Sequence, residues 1–73
     1  MITASQLRMA RAHLNVTQSE VSKNTGVSVP AITSIEGEIT KNPKTSTLHA
    51  LKTYYEAKGI EFTDDNGLRP ASA

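Results

Sequence analysis

Apolar residues recur at helical spacing through most of the first 58 positions and then switch to alternation. Leu7, Ala10 and Leu14 stand three and four residues apart, with Arg11 in the same phase. Ahead of them, Thr3 and Gln6 have the form of a capping box, in which the threonine hydroxyl accepts from the N3 amide and the N3 side chain accepts from the cap amide. A helix is predicted from about Ala4 to Leu14, stopped at Asn15, a residue that tolerates positive φ, before Val16 turns inward. The box repeats at Thr17 and Glu20, so a second helix should begin at Gln18 and bury Val21 and Ser22. It runs out at Asn24-Thr25-Gly26, where Gly26 can adopt the left-handed conformation that ends a helix. Val27 plugs the turn, and Ser28 is a second N-cap with Pro30 in the first turn behind it, where a missing N–H costs nothing. Ile32 and Ile35 then share one face of a third helix and leave Val29, Pro30, Ala31, Thr33 and Ser34 for the others. Helices of about two turns cannot stand alone in water, so both must pack on something.

From Gly37 to Lys44 there is no apolar period, and a loop is predicted. Thr45 or Ser46 should cap a fourth helix whose buried face is Leu48, Leu51 and Tyr55 and which Gly59 ends after Lys58. Beyond it Ile60-Glu61-Phe62-Thr63 alternates, Asp65-Asn66-Gly67 signals a tight turn, and Leu68-Arg69-Pro70 can return as a strand. A lone two-stranded hairpin is marginal, so Ile60, Phe62 and Leu68 should pack on the helices or against a second chain. Residues 71–73 are expected to fray.

Composition narrows the choices. Seventy-three residues make one small, marginally stable unit, 37% of its residues apolar and without an apolar run long enough to span a membrane. The first residues lack the basic and apolar regions of a signal peptide, and with zero cysteines there are no disulfides, thiolate chemistry or Cys-based zinc sites, so a cytoplasmic protein is expected. The formal net charge of +1 hides an asymmetry. Residues 1–52 carry six bases (Arg8, Arg11, Lys23, Lys41, Lys44, Lys52) against three acids (Glu20, Glu36, Glu38), whereas 53–73 carry Lys58 and Arg69 against Glu56, Glu61, Asp64 and Asp65. The basic excess thus coincides with the second and third helices and the loop after them. It would neutralise few phosphates, so one copy alone should hold nucleic acid weakly. His13 and His49 have no second ligand at metal spacing, and no catalytic constellation or phosphate-cradling glycine loop is found; neither metal nor cofactor is expected.

Two short capped helices joined by a glycine turn, Thr17 to Glu36, are the sequence form of a helix-turn-helix. The chain resembles the XRE or Cro/CI class of helix-turn-helix DNA-binding proteins, which includes the lambdoid phage repressors. The resemblance covers roughly residues 3–58. It is carried by Arg11, the Thr17-Gln18-Ser19-Glu20-Val21-Ser22 run, Gly26-Val27-Ser28, Ile32 and Ile35 with Glu36, and Thr40-Lys41-Asn42-Pro43 before Leu48 and Leu51. It implies an internal ion pair between Arg11 and Glu36, with Gln18 contacting the DNA backbone and bracing the recognition helix. The free amides around Gln18 at the start of the second helix suit a phosphate in their own right. The positions matching the family's base readers are Val29, Pro30, Ala31, Thr33 and Ser34, with Ser28 at the cap able to reach a phosphate. Relatives often place Gln, Asn, Arg or Lys there; small and apolar groups in their stead imply modest discrimination, thymine-methyl contacts and more weight on phosphate and DNA shape. Alternatively the same surface docks protein. Lys41, Asn42 and Lys44, with Thr40, match the loop that relatives lay along the backbone. Glu38 stands where relatives usually have Gly, and Gly37 is expected to take over the turn.

The fold expected is all-α: a compact, lambda-repressor-like bundle of four to five short helices containing the helix-turn-helix, with a short C-terminal β-hairpin. Residues 1–59 would be the DNA-binding domain, and 60–73 an extension for dimerisation through Tyr54, Ile60, Phe62 and Leu68. The function expected is a transcriptional regulator on double-stranded operator DNA, a homodimeric repressor or autoregulatory controller. The rival reading is an interaction module that binds a toxin or another regulator.

Overall fold

The computed structural model describes residues 2–71, so the fraying expected at 72 and 73 falls outside the described residues. Four helices and a hairpin follow in order: α1 (Ala4–Leu14), α2 (Gln18–Thr25), α3 (Val29–Glu36), α4 (Thr45–Ala57), β1 (Ile60–Phe62) and β2 (Leu68–Pro70). Both capping boxes form. Thr3 accepts from the Gln6 amide while the Gln6 side chain accepts from the Thr3 amide, and Thr17 and Glu20 do the same at the head of α2. Asn15 ends α1 at φ 56° and Gly26 ends α2 at φ 79°, both left-handed, so the chain reverses twice within about a dozen residues. Ser28 caps α3 by accepting from the Ala31 amide.

The head of α4 differs from the expected Thr45 or Ser46 cap. Lys44 is the N-cap and makes no side-chain cap hydrogen bond, because helical geometry already begins at Thr45 and carries both hydroxyls into the first turn. At the far end Lys58 closes the helix and Gly59, at φ 92°, turns the chain into β1.

Leu7, Ala10, Val21, Ile32, Ile35, Leu51, Tyr55 and Ile60 form the buried core, drawn from every helix and from the first strand. Ser22 and Leu48 are only partly buried. Tyr55 is 1% exposed and meets Phe62 edge-on at 6.2 Å, so the hairpin lies on α4. Burial pushes the Tyr55 phenol up to about 12, with Glu36 adding in the same direction and Arg11 opposing. An unfolded chain loses this proton near pH 10, so the stabilisation is complete below pH 10 and is lost as pH climbs through about 12. Urea titrations at pH 8 and pH 11 should therefore show a larger loss for the parent than for Tyr55→Phe; equal losses would contradict it.

β1 and β2 pair antiparallel in the register Ile60↔Pro70, Glu61↔Arg69, Phe62↔Leu68, and the ladder continues with the Ala71 amide donating to the Gly59 carbonyl at 2.9 Å. The connection is wider than the Asp65-Asn66-Gly67 signal suggests. Thr63 donates its amide to the Gly67 carbonyl and accepts the Gly67 amide on its hydroxyl, and Asn66 takes the positive φ of 68°. At Gly67 space is tight instead: a Cβ there would sit 3.0 Å from the Thr63 hydroxyl oxygen and would have to push that side chain back by a few tenths of an ångström.

Gln6 locks the hairpin to α1. At 1% exposure its Nε2 donates to the carbonyls of Thr63 and Gly67 at 2.8 and 2.9 Å, while its Oε1 accepts the Thr3 amide at 2.9 Å. The amide is satisfied at both ends. Ile60, expected among the dimer contacts, is corrected by its 3% exposure: it is buried within one chain and offers no surface to a second. Phe62 and Leu68 are half-buried against the same core, and Tyr54 packs edge-on against Tyr55 at 5.1 Å with the Lys58 ammonium 5.7 Å from its ring.

Candidate nucleic-acid interface

α2 and α3 meet through the Gly26-Val27-Ser28 turn. Ile32 and Ile35 anchor α3 inward, which leaves Pro30 and Thr33 exposed and Val29, Ala31 and Ser34 partly so. Val29 borders an open groove with Thr17, Gln18 and Ser19 at the head of α2. Pro30, Ala31 and Ser34 border another with Thr40, Pro43 and Lys44 of the following loop. The structure therefore gathers the family's candidate readers, the head of α2 and the loop on one side of the molecule.

Behind that face, one carboxylate ties three helices together. Glu36, its side chain 7% exposed, receives the Arg11 Nε at 3.0 Å on Oε2 and the Arg11 Nη2 at 3.1 Å on Oε1. Two parallel N–H donors on two oxygens make the strong, directional form of the pair. The Glu36 hydrogen bonds raise the Arg11 pKa above its usual value, against the opposing effect of burial. Arg8 adds a hydrogen bond to the Glu36 backbone carbonyl, and Arg11 Nη1 reaches the Val16 carbonyl at 3.4 Å.

Gln18 completes the network. Its Nε2 donates to Glu36 Oε1 at 3.2 Å, and its Oε1 accepts the Thr33 hydroxyl at 2.9 Å. A carboxylate only accepts, so the amide nitrogen must face Glu36 and the carbonyl is left for Thr33. The Gln18 side chain thus fixes the first residue of α2 to the middle and end of α3. Its backbone stays at the helix head, beside the open groove.

The α3–α4 loop corrects one expectation. Gly37 has φ −87°, and it is Glu38 that adopts the left-handed conformation, at φ 58°. Its neighbours explain why: the Ile39 and Thr40 amides both donate to the Ser34 carbonyl, at 2.8 and 3.3 Å, and this closure is made by the residues after Glu38. Glu38 is exposed, with a long 3.8 Å contact to Arg8 that contributes little. Thr40, Lys41, Asn42 and Lys44 are exposed. Ile39, which the sequence pattern did not single out, is 72% exposed beside them.

His13 and His49 are exposed, and among the described residues no cluster of three or more His, Cys, Asp or Glu is placed to hold a metal ion. No helix among the described residues is long and apolar enough to cross a membrane.

Comparison with known proteins agrees with this geometry. A family model described as helix-turn-helix matches residues 7–59, from within α1 to the glycine that follows α4. A search of curated proteins gives no match. The chain belongs to the XRE-type helix-turn-helix family, and at that level it is a DNA-binding regulator.

Proposed function

We propose that this family member is a homodimeric, operator-binding repressor or autoregulatory controller, which acts in the cytoplasm by occupying promoter DNA. The observation that carries the reading is the division of labour on the two sides of α3. Its inner side is fixed to α1 and α2 through Glu36, Arg11 and Gln18, while its outer side makes no core contact and lies between the head of α2 and a loop bearing Lys41 and Lys44. In this arrangement α3 enters the major groove, the α2 amides and the Ser28 hydroxyl meet phosphates, and Thr40, Lys41, Asn42 and Lys44 follow the backbone.

Dimerisation is proposed from charge and reach. Few bases and short reading groups give one copy weak purchase, so two copies would read half-sites about 34 Å apart. With Ile60 buried, the surface left to join them is the outer side of Tyr54 with the partly exposed Phe62 and Leu68. In this reading residues 1–59 carry the DNA contacts and the hairpin carries the assembly.

The test is a mobility shift over a salt series, with the DNA upstream of the chain's own coding sequence. Lys41→Ala and Lys44→Ala should each weaken binding to all sequences and reduce the log–log salt slope by about one. A folded protein with no salt-sensitive binding would move the reading to the interaction module, a rival that the apolar outer side of α3 favours. Light scattering that gives one chain's mass, free and on DNA, would remove the dimer alone.

A further inference from the structure

We infer that the outer side of α3 selects thymine by its C5-methyl group, and not purines by paired hydrogen bonds. The inference rests on α3 being the major-groove helix, and it follows from an inventory of which polar atoms are still free. The Thr33 hydroxyl donates its proton to Gln18 at 2.9 Å and keeps only its acceptor, and the Ser28 oxygen accepts the Ala31 amide at 3.3 Å with its proton left for a phosphate. The Gln18 amide, which has the fork geometry that reads adenine, is engaged at its nitrogen by Glu36 and at its oxygen by Thr33, and the amide of Asn42 on this side stands on the loop and not on α3. Ser34 retains one rotatable hydroxyl, which suits any base.

Beyond these single polar atoms, what α3 presents is apolar: the Val29 methyls, the Pro30 ring, the Ala31 methyl and the Thr33 methyl. In the major groove the thymine methyl is the apolar group that a base edge presents. Setting these side chains against a carbonyl or amino edge would strip water from it and return no hydrogen bond. Against a methyl, both surfaces leave water together. Pro30 fixes its own φ, and the Glu36 network holds the helix from behind, so the apolar side is presented without much ordering on contact.

The experiment uses the full chain and a 20-base-pair duplex enriched by it from a random pool, synthesised once with thymidine and once with deoxyuridine throughout. Uracil keeps every hydrogen-bonding group of thymine and lacks only the methyl. The uracil duplex should bind about tenfold more weakly, at about fourfold per methyl contacted, with the salt slope unchanged because phosphate contacts are not altered. Val29→Ala combined with the uracil duplex should cost less than the two changes added, which a change of DNA shape alone would not produce. Equal affinity for the two duplexes, with salt-sensitive binding kept, overturns the inference and leaves the DNA reading in place. Absence of salt-sensitive binding to either duplex overturns both.

Discussion

Arg11→Ala should lower the stability of the folded chain by about 3 kcal/mol, the cost of leaving a buried carboxylate without its charged partner. Glu36 is 7% exposed and accepts from Arg11 through both of its oxygens; after truncation only the neutral Gln18 amide still faces them. A domain of this size has roughly 4–11 kcal/mol in total, so the variant should stand near the edge of folding. Replacing both members with apolar residues of similar volume, Arg11→Met with Glu36→Leu, should recover much of the loss, because no charge is then stranded. The same pair explains a functional consequence. Glu36 is the far anchor of Gln18 and, through it, of Thr33, so its loss should loosen α3 against α2 and weaken DNA binding even where the protein remains folded. Urea midpoints with unchanged m-values measure the first effect, and a parent-like midpoint for Arg11→Ala would show that the pair is solvated.

The helices were legible because their ends are written in local chemistry. Thr3 with Gln6, Thr17 with Glu20, and Ser28 with the Ala31 amide satisfy donors within three residues, Pro30 removes one, and Asn15 and Gly26 stop the helices by their own tolerance of positive φ. Where a backbone closure decides the conformation, residue type misleads. Gly37 looks like the turn residue after α3, yet the closure onto the Ser34 carbonyl puts the left-handed position at Glu38. Gln6 shows a related limit. Its cap role uses one oxygen and fully explains its presence, so nothing signals that the nitrogen of the same amide holds two carbonyls some 60 positions away. On the candidate face, residue types place α3 and its neighbours, but only the hydrogen bonds show that Gln18 and Thr33 are occupied with one another. That fact withdraws the Gln18 amide and the Thr33 proton from a surface whose other groups were already legible as small and apolar.

Removal of residues 60–73 should abolish cooperative folding, and not merely release a monomer from a dimer. The family match stops at Gly59, which suggests a clean boundary, but the core does not stop there. Ile60 is 3% exposed among the helix residues, and a buried isoleucine is worth about 2–5 kcal/mol against alanine. Phe62 covers the edge of Tyr55, the largest fully buried side chain, and its loss would open that ring to water. Gln6 would lose both acceptors of its Nε2 in the same step. Together these exceed about half of what a chain this short has in reserve, even if the truncated surface relaxes. The smaller variant Gln6→Leu isolates one part of the effect: it strands the Thr63 carbonyl, takes one of two donors from the Gly67 carbonyl and removes the acceptor of the Thr3 amide, and should cost about 2 kcal/mol. Thermal unfolding followed by circular dichroism separates the outcomes. A truncated chain that still melts cooperatively within a few degrees of the parent would show the hairpin to be an appendage, and would return its apolar residues to the role of joining two copies.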